Sequence, residues 1–295
     1  MLIGAWGAGD NYQYSGSAYV FTRNAGVWTE QTKLTASDGA TEWFGRSVAL
    51  DGDTALIAAG WDSWIYVFTR SGGAWTEQSK FTANDVGVGN HFGEPIALDG
   101  DTALIAAPHN DYDYYRISSG AAYVFSGSAG AWKQQTKLTA SDFAYNDFFG
   151  FSVALDGDTA LIGATGDDDN GESSGSAYVF TRSGEVWTQQ AKLTASDGAA
   201  IDYFGSSAAL DGDTALVGAP DDDDKGSGSG SVYIFSLNRA TVVTIDIKPG
   251  SETNNIDPKS NGVLAVAVLT AGEFDALQLD PDTTKFGPSE ATAER

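Results

Sequence analysis

The chain has 295 residues, 42% of them hydrophobic and 12% aromatic, with 36 Gly and no Cys; that suffices for one large or two modest cored domains and is too aromatic for a disordered chain. With 16 Lys plus Arg against 40 Asp plus Glu, the formal charge is −24, so nucleic acid and anionic membrane surfaces are repelled. Zero Cys excludes disulfides, thiolate metal sites and a Cys nucleophile, and no apolar run approaches the roughly 20 residues of a spanning helix, so no membrane insertion is expected. The thirty Asp outnumber the ten Glu, a bias toward turns and oxygen-rich cation loops and away from helices.

In chain order, the first element is the apolar run Met1-Leu2-Ile3-Gly4-Ala5. It aligns with Ala160-Leu161-Ile162-Gly163-Ala164, so it reads as the second strand of a repeat from a longer precursor and not as a signal peptide. From there the sequence repeats. Tyr-Val-Phe recurs at Tyr19, Tyr66, Tyr123 and Tyr178, with Tyr-Ile-Phe at Tyr233, at spacings of 47, 57, 55 and 55 residues. Phe-Gly at Phe44, Phe92, Phe149 and Phe204 keeps the same step, as do Trp28, Trp75, Trp132 and Trp187, and Asp-Gly-Asp-Thr-Ala-Leu from Asp51, Asp99, Asp156 and Asp211.

Each full unit predicts four short strands. In the fourth unit, residues 152–156 and 159–164 are apolar runs around Asp156-Gly157, a two-residue hairpin signal; residues 176–182 form the third strand and 187–195 the polar fourth. The first three show little polar alternation and are expected to be covered on both faces, with the fourth at the outer edge. Short strands at even spacing, without capped helical periodicity, predict an all-β fold: a β-propeller of about five consecutive four-stranded blades over residues 1–237, the two end blades each short of a strand. Near Asn238 the composition changes. Residues 241–248, 262–270 and 274–279 read as strands punctuated by Pro249-Gly250, Asp257-Pro258 and Asp280-Pro281, a short, truncated C-terminal β-rich module over 241–295.

The stretch from Phe149, FGFSVALDGDTALIGA, followed by SGSAYVFTRSG, resembles the FG-GAP repeats of bacterial secreted proteins, relatives of the integrin α-subunit β-propeller. The resemblance covers residues 1 to about 237, and the Gly-Gly doublet of the rival Kelch pattern is missing before the Tyr strand. It implies an extracellular or cell-surface protein whose ligand face is formed by the loops between strands two and three, at residues 10–16, 61–63, 108–120, 165–175 and 220–230. The blade-to-blade crossings share that face and carry Asp38, Glu42, Asp85, Asp142, Asp147, Asp197 and Asp202. In integrins a cation lies in the loop between strands one and two; here that loop has shrunk to Asp-Gly-Asp-Thr.

Two groups of side chains on this acidic face are candidate sites. Asp167, Asp168, Asp169, Asn170 and Glu172, with Asp221, Asp222, Asp223 and Asp224, concentrate hard oxygen donors beside glycine turns, as Ca²⁺ requires; the same residues also serve as solvated turn formers. The third blade departs from the Gly/Ser/Asp pattern with His109, Asp111, Tyr112, Asp113, Tyr114, Tyr115 and Arg116, types that dominate recognition surfaces. His91 occupies the slot of Trp43, Phe148 and Tyr203, a packed aromatic position. The recurring Trp residues read as blade packing, while Trp61 and Trp64 fall outside their register and are candidate ligand contacts.

Three function classes remain. The first is a monomeric, non-catalytic extracellular adhesion scaffold that binds a protein or glycan through the acidic face, with Ca²⁺ as its cofactor. A propeller-type glycosidase or polysaccharide lyase, using an Asp/Glu pair or the Tyr/His/Arg loop of blade three, is the alternative. Against it, the Asp residues recur in every blade whereas catalysis needs one asymmetric constellation, and no nucleophile elbow, phosphate loop or zinc-helix motif is present. The third class is a purely structural surface protein.

Overall fold

A computed structural model of the protein describes residues 1–9, 15–39, 43–59, 63–87, 89–110, 118–128 and 130–237, and four short strands beyond residue 244. The chain divides into two compact units, Met1–Leu237 and Asn238–Arg295. The first is a β-propeller array of five antiparallel blades. Blade one holds β1 (Leu2–Ala5), β2 (Ser17–Asn24) and β3 (Val27–Leu34); blade two holds β4 (Phe44–Asp51), β5 (Thr54–Ala59), β6 (Trp64–Ser71) and β7 (Ala74–Phe81). Blade three is β8 (Ile96–Asp99), β9 (Thr102–Ala107), β10 (Ala121–Ser128) and β11 (Ala131–Leu138), and blade four is β12 (Phe149–Asp156), β13 (Thr159–Ala164), β14 (Ser176–Ser183) and β15 (Val186–Leu193). Blade five has β16 (Ser207–Asp211), β17 (Thr214–Ala219) and β18 (Ser231–Ser236). Among the described residues the middle blades are four-stranded and the end blades three-stranded, blade one showing no inner strand and blade five no outer one.

The register explains the repeat. Tyr178 stands opposite Ile162 on one side and Lys192 on the other, and Tyr66 and Tyr123 have the same neighbours, Ile57 with Lys80 and Ile105 with Lys137. Tyr233, facing Val217, completes the set in blade five. The Asp-Gly-Asp-Thr tetrapeptide closes the first hairpin, with Asp156 paired to Thr159 and Gly157 at φ 54°, the left-handed backbone that a tight two-residue turn demands. A register shift recurs in the outer hairpin after Val20, Val67, Val124 and Val179, a β-bulge whose extra residue, Gln31, Gln78, Gln135 or Gln190, lies in the outer strand and bends it at one place.

The hydrophobic core is divided among the blade interfaces. One cluster joins Val20 and Leu34 of blade one to Ile57, Tyr66 and Phe68 of blade two; the others join blades two and three, three and four, and four and five in the same manner. Phe44, Phe92, Phe149 and Phe204 are fully buried in these clusters. Each sets its ring edge-on to the Tyr and Phe of its own third strand, Phe149 lying 5.4 Å from Tyr178 and 6.0 Å from Phe180 between ring centroids. The glycine that follows is required by both backbone and space. Gly205 has φ 94°, and a Cβ there would lie 2.4 Å from the Ser176 carbonyl oxygen, so the crossing meets the preceding blade only through bare backbone.

Fourth strands alternate exposed with half-buried residues, consistent with an outer edge wet on one side. Their Trp residues lie against the interfaces, Trp75, Trp132 and Trp187 each packing on a core cluster. Trp28, in the outer strand of blade one, is 48% exposed. On the face of the first hairpins the blades are tied by aspartates: Gly100 N–H donates to Asp51, Gly157 to Asp99 and Gly212 to Asp156, at 2.6–2.8 Å. The first Asp of each turn therefore binds the next blade, a role its turn-forming character does not reveal.

In the second unit, β19 (Ile245–Ile247) pairs with β20 (Val266–Val268), and β21 (Lys285–Phe286) pairs with β22 (Ala291–Thr292), both antiparallel. The first two fall inside the predicted runs 241–248 and 262–270; the predicted strand 274–279 lies outside the described residues.

Candidate functional site

The loops between second and third strands are stitched to the crossing that enters the next blade. Gly16, Gly120 and Gly175 each form a parallel bridge with Phe44, Phe149 and Phe204. Around them Phe148 N–H donates to Ser118 O, Tyr203 to Ser173 O and Ile201 to Glu172 O. Loop and crossing thus form one surface, on which the candidate residues can be placed.

Its repeating element is a three-residue clamp across the first three blade interfaces. Asp142, in the crossing that leaves blade three, accepts from the Tyr178 hydroxyl at 2.9 Å and from Lys192 Nζ at 2.8 Å, both on blade four. Asp38 holds Tyr66 at 3.0 Å and Lys80 at 2.7 Å in the same way, and Asp85 holds Lys137 at 2.8 Å. Each lysine also lies over the ring of its tyrosine, 5.3–5.5 Å from the centroid, adding cation–π attraction to the ion pair. Burial and the neighbouring carboxylates push the Tyr123 and Tyr178 hydroxyls far above their usual range. Both are therefore hydrogen-bond donors at any working pH.

The third loop residue of the later blades joins this clamp. In blade three it is Asn110, which donates from Nδ2 to Tyr123 at 3.2 Å and accepts from Lys137 at 2.9 Å. In blade four it is the buried Asp167, 3.0 Å from the Tyr178 hydroxyl, 2.7 Å from Lys192 and 2.8 Å from the Ser176 hydroxyl. Asp169 adds a contact to Lys192 at 2.6 Å, so Asp142, Asp167 and Asp169 present carboxylate oxygens within 4.8 Å of one another with an ammonium among them. Burial opposes the charge on Lys192, but the hydrogen bonds from Asp142, Asp167 and Asp169 outweigh it and raise its pKa. Burial likewise acts to raise Asp142, yet the bonds from Lys192 and Tyr178 prevail and hold it below the usual carboxylate range.

The other predicted ligands of this loop shape it. Asp168 accepts from Ser173 N–H at 2.7 Å, Asn170 N–H donates to the Ser174 hydroxyl at 3.1 Å, and Glu172 uses its carbonyl for the next crossing. Nearby, buried Asp147 accepts from Ala144 N–H at 2.5 Å. Burial pushes its pKa up to about 6, against the pull of that bond and with the repulsion of Asp167 added.

Blade five repeats the loop with no clamp lysine among the described residues. Asp222 and Asp197 share the Tyr233 hydroxyl at 2.7 and 2.8 Å, Asp224 N–H donates to Asp222 at 3.1 Å, and Gly228 N–H donates to Asp223 at 2.6 Å. Asp221 is exposed. Asp222 and Asp197 push the pKa of Asp224 up against the opposing pull of Lys225, while the Tyr233 hydroxyl holds that of Asp222 down.

Among the remaining candidates, Trp64 opens β6, packs on the first interface cluster and carries Lys80 Nζ 4.6 Å from a ring centroid. His109 is half-buried, its ring 4.5 Å from that of His91 and 5.2 Å from that of Phe148. Trp61, Asp111, Tyr112, Asp113, Tyr114, Tyr115 and Arg116 lie outside the described residues. The slot before Phe-Gly has one geometry throughout: Trp43, His91, Phe148 and Tyr203 all have φ between 52° and 63°, left-handed backbone that bulky side chains seldom adopt.

Residues 28–74, 75–125, 132–180 and 187–235 each match the family model described as FG-GAP repeat, together about two thirds of the chain. The chain belongs to the FG-GAP repeat family. Each matched FG-GAP segment begins near an outer strand and ends near the third strand of the following blade, as 132–180 does with β11 and β12–β14. The sequence unit therefore spans a blade interface, and the Phe-Gly step for which it is named lies at that interface. No curated protein matches the chain.

Lysines 80, 137 and 192 were absent from the candidate residues drawn from sequence. Their signal was available: Lys recurs at one position of every complete outer strand, five residues before a recurring Asp.

Proposed function

We propose that the FG-GAP unit is a non-catalytic recognition module of the extracellular or cell-surface kind, akin to the integrin α-subunit propeller, which binds a protein or glycan through the face formed by the second-to-third-strand loops and the crossings. The observation that carries this reading is the division of labour among the side chains. Those that recur in every blade are consumed in holding blades together, whereas those that differ between blades gather on that one face. Recognition by a surface of varied side chains on a rigid scaffold follows from such an arrangement.

Calcium fits one of the two acidic loops better than the other. In blade four Lys192 sits among the three carboxylates and offsets one of their charges from within. In blade five Asp197, Asp222 and Asp224 offer hard oxygens with no ammonium of the clamp among them, and their mutual repulsion is visible in the raised pKa of Asp224. Ca²⁺ bound through Asp222 and its neighbours would supply positive charge and order the loop, whereas the carboxylate oxygens already drawn within 4.8 Å of one another are those of Asp142, Asp167 and Asp169. The test is a protein and glycan binding array run with and without Ca²⁺, alongside calorimetry at fixed ionic strength. Binding to a defined partner supports the module, and stabilisation by Ca²⁺ over Mg²⁺ that disappears in Asp222→Asn supports the ion. A chain that binds nothing on either array removes the recognition reading, and equal stabilisation by the two ions removes the specific calcium site.

A further inference from the structure

In a repeat array the recurring residues are committed to packing, so a single ligand site has to be built from positions that vary. Two such positions flank the Phe-Gly step. The residue before it is Trp43, His91, Phe148 or Tyr203, and the residue after it is Arg46, Glu94, Phe151 or Ser206. All of these except Trp43 line two adjoining cavities of about 410 and 350 Å³, which share His109 and Phe151 as common wall. Each has the size of a small-molecule site.

The cleft has two chemically distinct ends. At one, Arg46 Nε lies 3.1 Å from Glu94 Oε1, and His91 Nδ1 lies 3.2 Å from Glu94 Oε2. Glu94 is mostly buried, its side chain 14% exposed, so the pair presents fixed hydrogen-bonding groups with no net charge. At the other end stand the rings of Phe148, Tyr203 and Phe151, the last 49% exposed. His91, His109 and Phe148 form a continuous aromatic wall between the two ends.

We propose that this cleft binds the neutral pyranose units of a glycan, with sugar C–H faces against Phe151 and its neighbours and hydroxyls on Arg46, Glu94 and His91. The inference rests on the recognition-module reading and narrows it to one ligand class and one place. Flat apolar rings beside a small number of fixed donors and acceptors suit a polyol that is apolar on one face and polar at its edges. An anionic ligand is disfavoured by Glu94 and by the −24 charge of the chain. An organic cation is disfavoured because Arg46 already lies over the Trp6 ring, 5.2 Å from its centroid. Among the described lining residues Glu94 is the single carboxylate, whereas glycoside hydrolysis calls for a facing pair, so the site holds sugar without cleaving it.

The experiment is isothermal titration of the full chain with cellotriose, xylotriose, mannotriose and maltotriose, with trigalacturonate as the acidic comparator. At least one neutral trisaccharide should bind, and Phe151→Ala and Glu94→Gln should each weaken that binding by about tenfold or more, while Tyr145→Ala, outside the lining, leaves it unchanged. Melting temperatures verify that the variants fold, and the exposed Phe151 gives a substitution that spares the core. Failure of every neutral trisaccharide to bind, preference for trigalacturonate, or binding indifferent to both cleft variants overturns the inference. A chain that still binds a defined partner on the arrays in that case keeps the recognition module and loses only the saccharide cleft; one that binds nothing loses both.

Discussion

Lys192→Met is the sharpest test of how the blades are held together. Methionine preserves the apolar stem over Tyr178 and removes an ammonium that lies 2.8, 2.7 and 2.6 Å from Asp142, Asp167 and Asp169. Asp167 then remains charged with its side chain only 5% exposed, retaining the Tyr178 and Ser176 hydroxyls as donors. Breaking a fully buried ion pair costs about 3–5 kcal/mol and breaking an exposed one under about 1 kcal/mol. Lys192 is itself partly open to water and two of its three partners are exposed, so the expected loss lies between these limits, at about 2 kcal/mol. Urea unfolding at neutral pH reads this as a lower midpoint with unchanged slope. Adding Asp167→Asn should recover part of the loss, because the uncompensated charge goes with its partner. The vacated carboxylates should also make blade four responsive to Ca²⁺. A variant within about 0.5 kcal/mol of wild type, or strict additivity of the two substitutions, would refute the clamp as a source of stability.

The raised pKa of Asp147 sets a pH dependence of the opposite sign to ordinary acid denaturation. Its folded value of about 6 lies above the usual 3.8, so the protonated form is favoured on folding; stability is highest below the unfolded pKa and is lost as the pH rises toward 6. Asp147→Asn lacks this contribution, and the melting-temperature difference between variant and wild type should grow from pH 4 to pH 6 and then level off; a difference flat across that window contradicts the assignment. Phe149→Ala empties a fully buried site between blades three and four and should cost about 3–5 kcal/mol. Trp28→Ala, at the open side of blade one, should cost under about 1 kcal/mol by the same urea assay; equal costs would mean that the interface core is misplaced.

The blades were legible because the repeat is a packing code. Phe-Gly, Asp-Gly-Asp-Thr and the Tyr strand each mark a backbone event, namely a crossing, a hairpin and the middle of the sheet, and such events leave fixed spacings. The clamp was less legible because its members come from different sequence units. Lys137 and Asp142 are five residues apart in the chain, yet each pairs elsewhere, Lys137 with Asp85 behind it and Asp142 with Lys192 ahead. Local spacing points to the wrong partner, and only the stacking of blades corrects it. The acidic loops show the same limit. Composition marks Asp167 and Asp222 as oxygen donors, but burial decides that both are first of all partners of a tyrosine hydroxyl, and composition is silent on the ammonium that one has and the other lacks. The cleft beside Phe151 is the least visible in sequence, since Arg46, Glu94, Phe151 and Ser206 stand out only once the register of the crossings is known.

Because each core cluster belongs to a pair of blades, a blade removed from its neighbours keeps its hydrogen-bond ladder and loses most of its dry contacts. The two ends of the array differ from the middle in this respect: Val232 and Ile234 of blade five are 66% and 72% exposed, where their counterparts in blade four, Ala177 and Val179, are at most 4% exposed. Tension applied across the array should therefore separate its blades one interface at a time, as a stack with nearest-neighbour coupling does. Each rupture would release a segment of about one FG-GAP repeat and leave the remaining blades with their partners intact. A protein built this way would yield under load in steps and dissipate the pull.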